Sequence, residues 1–198
     1  MSSINTDIAV YTELANLFPF LKLKTYKSHT NMIYLEYYKK DLCLDLMALG
    51  MVSNKTKKDV TGEFHFPDLR KDLLPHFIRG YFDADGSVWF PTRSRSRNNK
   101  RIEFGVATKN FLLKLKEVLD ENNIKFTWHE RYKKAGNGKL YYSYSIISSN
   151  KETSLKFADY IYKDATIYLA HKYNKCYKDP EYRPTTFSLY GVCPNCGS

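Results

Sequence analysis

The order of elements along this chain constrains its fold more than any other feature, because one order occurs twice. In residues 6–50, Ile8, Tyr11, Leu14 and Phe18 fall at helical spacing behind Thr6, a natural N-cap. Two alternating stretches follow, "FLKLKTYK" and "NMIYLEYY", and then a short helix, "KDLCLDLMALG", that Gly50 stops. In residues 109–162 the helix "NFLLKLKEVLDENN" places Leu112, Leu115 and Leu119 inward. It precedes the strands "IKFTWHERYKK" and "KLYYSYSII" and the helix "ETSLKFADYIY". Only the second block has a further helix-strand-strand unit in front of it, residues 72–107. The chain therefore reads as one and a half copies of a repeat, an α+β design. It is closed by the helix "DATIYLAHKYNKCY", for which Asp164 is the expected cap.

The extra unit carries "IRGYFDADGSV", residues 78–88. Leu73, Phe77, Tyr81 and Leu74, Ile78, Phe82 form two adjacent rows at i, i+4 spacing. Pro75 is tolerable in the first turn, where its missing N–H has no partner to lose. Gly80 costs about 1 kcal/mol against alanine inside a helix; close approach of another backbone would offset that. The run then ends in Asp83 and Asp85. A helix C-terminus disfavours negative charge by ~0.3–1 kcal/mol per group, so local stability does not explain them. A cation nearby would.

Charge points the same way. The chain has 31 Lys+Arg against 21 Asp+Glu, a formal net charge of +10, which favours a polyanionic partner. In "PTRSRSRNNKR", Arg93, Arg95 and Arg97 occupy every second position, with Lys100 and Arg101 following. Such spacing puts side chains on one face of a strand. Lys22 and Lys24 alternate with Leu21 and Leu23. Arg131, Lys133, Lys134 and Lys139 flank a hairpin turn at Gly136-Asn137-Gly138. Basic sheet faces and hairpin tips suit a β-ribbon lying in a DNA groove.

Other classes find little support. No run approaches the roughly 18–20 apolar residues that span a bilayer, and no basic segment leads into an apolar core at the N-terminus. An intracellular, non-secreted protein without a membrane partner is expected. His29, His65, His76, His129 and His171 are scattered, and no nucleophile elbow, P-loop or dinucleotide glycine pattern occurs. Cys43 on its helix reads as a small core residue.

"IRGYFDADG", with "LLPHF" before it and "SV" after it, resembles the signature helix of the LAGLIDADG homing endonucleases. The stretch "SNKT...FHFPDL...LLPHFIRGYFDADGSV" is similar to the junction between the repeats of a double-motif member. "DATIYLAHKYNK" is similar to the closing helix of that subgroup, so the similarity covers most of residues 6–176. The resemblance implies αββαββα repeats with curved antiparallel DNA-binding sheets. It implies motif helices paired through small residues, the role of Gly80, with their C-terminal ends beneath the scissile phosphates. Carried over residue by residue, Asp85 is the metal ligand. Asp83, the first carboxylate of the catalytic motif, orients the turn, and the carbonyl of Gly86 or Ala84 is a further ligand.

Hard oxygen donors and phosphates suit Mg²⁺ or another divalent cation. The resemblance also implies a basic residue near the site, with Arg131, Lys133, Lys134 and Lys139 as candidates. These four, with Arg93, Arg95, Arg97, Arg101, Lys22 and Lys24, form the DNA-binding set, the arginines being able to pair bidentately with guanine. The implied activity is site-specific, divalent-metal-dependent cleavage of double-stranded DNA, of the homing type. The alternative is a non-catalytic DNA- or RNA-binding module of the same fold, such as a splicing cofactor or a domesticated DNA binder.

One departure shapes the expected organisation. A double-motif enzyme needs a first motif helix and two strands before residue 6, and this sequence starts at Met1. Residues 1–70 are therefore expected to be a partial first repeat and residues 71–178 a complete second repeat. Residues 179–198 would be a tail bearing the half-knuckle "CPNCG". A split or truncated protein is the favoured reading, its missing unit supplied by a second chain; a homodimer through the Gly80 helix is the other arrangement. Cys193 and Cys196 could make a CCCH zinc site with Cys176 and His171, but the usual spacing is lacking, and a half-knuckle at the chain end is preferred.

Overall fold

A computed structural model describes residues 2–3, 8–26, 32–38, 40–51, 65–91, 100–105, 108–134, 138 and 140–177. Thr6, most of the junction and the cysteine-bearing tail lie outside them. The first part contains strand β1 (Ser2–Ser3), helix α1 (Ile8–Leu17), strands β2 (Lys22–Tyr26) and β3 (Met32–Glu36), and helix α2 (Lys40–Ala48). Its sheet is antiparallel, in the order β1-β3-β2. The second part runs α3 (Leu74–Asp85), β4 (Ser87–Trp89), β5 (Arg101–Gly105), α4 (Lys109–Glu121), β6 (Thr127–Lys134), β7 (Leu140–Ser148), α5 (Lys151–Tyr162) and α6 (Ala170–Tyr177). Its sheet is antiparallel as well, in the order β4-β5-β7-β6. Helices and antiparallel strands in this arrangement make an α+β fold.

The two sheets share a plan. β1 pairs with β3 as β5 pairs with β7, and β2 pairs with β3 as β6 pairs with β7. One strand of the unit expected to be missing before residue 6 is therefore present. Ser2–Ser3 already holds the place that β5 takes in the second sheet.

Local chemistry explains the second part. Thr108 caps α4, its Oγ1 accepting from the Phe111 N–H at 2.9 Å, and Asn150 caps α5 by accepting from Thr153 N–H at 3.0 Å. α3 has no side-chain cap and starts with Pro75 in its first turn. Of its two rows, Ile78 and Phe82 are fully buried and Leu73 is exposed. Val88, Ile102, Phe104 and Ile146 point from the sheet into a core shared with Phe111, Leu112, Leu115, Leu119 and Phe157. Phe82 centres an aromatic cluster, its ring 5.4 Å from Phe104 and 5.1 Å from Phe157.

The first part packs differently. Among its described residues the buried hydrophobics are Tyr11 and Ile33, and α2 buries none. Cys43 is exposed, against its reading as a core residue, because no layer among the described residues covers the α2 face that holds it. Asp164 is also corrected: α6 begins at Ala170, too far along for Asp164 to cap. No helix of the described residues is long and apolar enough to cross a membrane.

Candidate active site

The C-terminal end of α3 is locked to α6 by a reciprocal exchange. Asp83 Oδ1 accepts from the Tyr162 hydroxyl at 2.7 Å, and Oδ2 accepts from the Leu169 N–H at 3.1 Å. Leu169 directly precedes α6, and its carbonyl accepts from Lys172 N and Tyr173 N within that helix. Asp83 therefore stands at the unfavourable end of its own helix but at the favourable, N-terminal end of the next. In return Lys172, from α6, donates its ammonium to the carbonyls of Phe82 at 2.8 Å, Asp83 at 2.6 Å and Gly86 at 2.7 Å. The Asp83 carbonyl is among those that the end of a helix leaves over, whereas the Phe82 carbonyl also accepts from the Gly86 N–H. For Asp83 the nearby cation is thus Lys172, which donates to the backbone around it.

Burial pushes the Asp83 carboxyl above its ordinary range, opposed in turn by the Tyr162 hydroxyl, the Leu169 N–H, Lys172 and Arg79. Its own burial, and then the contact with Asp83, raise the Tyr162 hydroxyl. Asp83 is an internal tie. Asp85 is exposed at the last position of α3.

Gly86 makes the turn tight. Its N–H returns to the Phe82 carbonyl at 2.8 Å, and a Cβ at this position would lie 2.2 Å from the Phe82 ring. Its φ of −73° is open to any residue, so glycine is required for space. The Gly86 carbonyl, expected as a further metal ligand, accepts from the Lys172 ammonium at 2.7 Å, and a cation placed there as well would meet that charge. Gly80, further back, is exposed, with nothing within 4 Å of a Cβ built on it.

The open face of the second sheet leads away from Asp85. Since Val88, Ile102 and Phe104 face the core, alternation turns Ser87, Trp89, Arg101, Glu103 and Gly105 outward. Arg101 lies over the Trp89 indole, 5.0 Å from its centroid. Arg131 is exposed and shares a face with Thr127 and His129, whereas Lys134 falls on the opposite face with Trp128 and Tyr132. Lys100 is turned inward instead. It is 6% exposed and donates to the Cys176 carbonyl near the end of α6.

In the first sheet, Lys22 and Lys24 stand on one face as the alternation predicts. Lys24 is already paired with Glu36 at 2.6 Å and with the Tyr38 hydroxyl at 2.7 Å, contacts that raise its pKa. Arg93, Arg95, Arg97 and Lys139 lie outside the described residues, as does the side chain of Lys133. Cys176, considered as a zinc ligand, is packed in the core, and burial pushes its thiol up to about 12. Among the described residues no three His, Cys, Asp or Glu side chains group as a metal site.

Residues 72–162 match the profile of a family described as a LAGLIDADG-like domain. Among solved structures, the homing endonuclease I-WcaI bound to its DNA recognition sequence is similar at 17% identity, with 87% of this chain and 73% of that chain covered and a TM-score of 0.47. No curated protein matches.

Proposed function

From the match of residues 72–162 to a LAGLIDADG-like domain we propose that the chain is a site-specific, divalent-metal-dependent endonuclease for double-stranded DNA, or one portion of such an enzyme. The observation that carries this reading is the division of labour at the end of α3. Asp83 and Lys172 are spent on holding the turn, and Asp85 is delivered to the surface beside an outward sheet face. Residues 1–70 and 71–178 are read as a partial and a complete repeat, which the shared strand order supports. The open surface at Gly80 is read as the contact for a second motif helix, from whichever segment or chain supplies it.

The donors fit a hard cation. Mg²⁺ takes one or two carboxylates and completes its shell with water and phosphate oxygens, so Asp85, with the Ala84 carbonyl, could hold one against DNA. When bound, such an ion activates water and stabilises the leaving oxygen. The chain's own residues do the rest. Lys172 and Asp83 fix the α3 terminus, Gly86 sends the chain straight into β4, and Arg101 and Arg131 offer guanidinium groups to phosphates and bases.

Asp85→Asn tests the assignment, because it removes the ligand charge and keeps the shape. With Mg²⁺ and any required partner present, cleavage should fall at least about 10²-fold while DNA binding survives or tightens. Full cleavage by this variant would refute Asp85 as the ligand. A wild-type chain that binds DNA tightly and never cuts it would favour the non-catalytic binding module.

A further inference from the structure

The open sheet face holds one arginine set apart from the other cations. Trp89 and Arg101 are direct cross-strand partners, and the guanidinium carbon stands 5.0 Å from the indole centroid. Trp89 is 38% exposed. The Arg101 Nε is buried without a hydrogen-bond partner among the described residues. An arginine in free solution spreads its fork over many rotamers, but one laid on an indole at a fixed register position is held in a narrow set. Burial of Nε leaves the Nη groups as the donors that can reach outward. Trp89 is also four residues beyond Asp85 along the strand that leaves the α3 terminus, so the pair sits close to where cleavage is proposed.

We propose that Trp89 and Arg101 form a preset guanine reader: the indole fixes the guanidinium, and the guanidinium pairs bidentately with O6 and N7 of one guanine near the cut. This rests on the reading of this face as the DNA surface. It assigns Trp89 a specificity role through Arg101, without a base contact of its own.

The test is selection of a randomised duplex library by the full chain at fixed salt, with melting temperature measured on each variant. Wild type should enrich guanine at one position. Arg101→Lys and Trp89→Leu should each reduce that preference about 10-fold or more, the discrimination expected of a bidentate pair, and should leave the other positions intact. Trp89→Phe, which keeps an aromatic face, should retain most of it. Loss with Arg101→Lys but not with Trp89→Leu overturns the proposal, as does an equal loss at every position. If wild type selects a site and every position survives both changes, only this inference falls. If wild type selects no duplex at all, the function proposed above falls with it.

Discussion

The two parts of the molecule build the same sheet and obtain different interiors from it. Each has strand, helix, strand, strand, helix in that order, with β1-β3-β2 matching β5-β7-β6. The second part adds α3 and β4 in front and α6 behind. Its helices and strands close a continuous core around Phe82, Phe104, Phe111 and Phe157. The described residues of the first part leave Leu17, Phe18, Phe20, Leu44, Met47 and Leu49 exposed. A three-stranded sheet with two helices lays down the topology. The helix that carries the acidic motif adds Ile78 and Phe82 to the core of the second part, so one element serves both packing and the candidate site.

The largest expected effect sets the same kind of truncation in both parts. Phe82→Ala removes a fully buried ring and should cost about 3–5 kcal/mol, a melting temperature lower by roughly 10 °C or more for a chain of this size. Met47→Ala, on a side chain 56% exposed, should stay within about 0.5 kcal/mol. Thermal melts of both variants check this. Equal losses would show that the first part buries Met47 against something, and would end the contrast.

Periodicity made the second part legible. Leu112, Leu115 and Leu119 recur at helical spacing and are all fully buried, because a stripe of leucines has nowhere else to go. Residue type misled at Cys43, since the usual burial of a free cysteine does not show whether anything covers the face that holds it. The end of α3 at Asp85 was legible from the motif. Lys172 was not, because its partners are backbone carbonyls on a helix 86 to 90 residues away in sequence. Its only sequence signal was the closing helix "IYLAHKYNK" together with the unexplained acids. Asp164 looked like the cap of α6 because it is local, but Asp83 reaches that end through the fold. Lys100 looked like one more surface cation, and sequence alone does not show that a lysine is folded inward onto a helix end.

Lys172→Met is the intermediate case. The substitution keeps an apolar stem beside the Phe82 ring, over which the ammonium now stands at 5.5 Å, and removes the donor to three carbonyls. Hydrogen bonds from a charged donor contribute about 1.5–3 kcal/mol, and a loss of that size is expected in denaturant unfolding. Cleavage should fall further than stability alone accounts for, because the end of α3 that presents Asp85 loosens. Unchanged stability would mean that the three contacts only replace solvent, and that α3 closes the core without help from α6.

The smallest effect is expected at Asp83, and its sign is the informative part. Burial raises this carboxyl above its ordinary value of 3.8, so between that value and the raised one the folded chain holds a proton that the unfolded chain has released. Stability from this group therefore falls as pH rises through that window. Asp83→Asn resembles the protonated form: its amide oxygen can accept from the Leu169 N–H, and its NH₂ can donate to the Tyr162 hydroxyl, which turns to accept. The variant should lie within about 1 kcal/mol of wild type, and the difference should move in its favour as pH climbs from about 4 towards neutrality. Asp83→Ala leaves both donors without an acceptor and should be worse than Asn at every pH, by about 1–3 kcal/mol. Urea melts of the three proteins across that range check the order. If wild type instead gains on Asp83→Asn with rising pH, the attraction of Lys172 and the α6 terminus for the carboxylate outweighs its burial, and the joint between α3 and α6 is an ion pair in effect rather than a buried hydrogen-bonded tie.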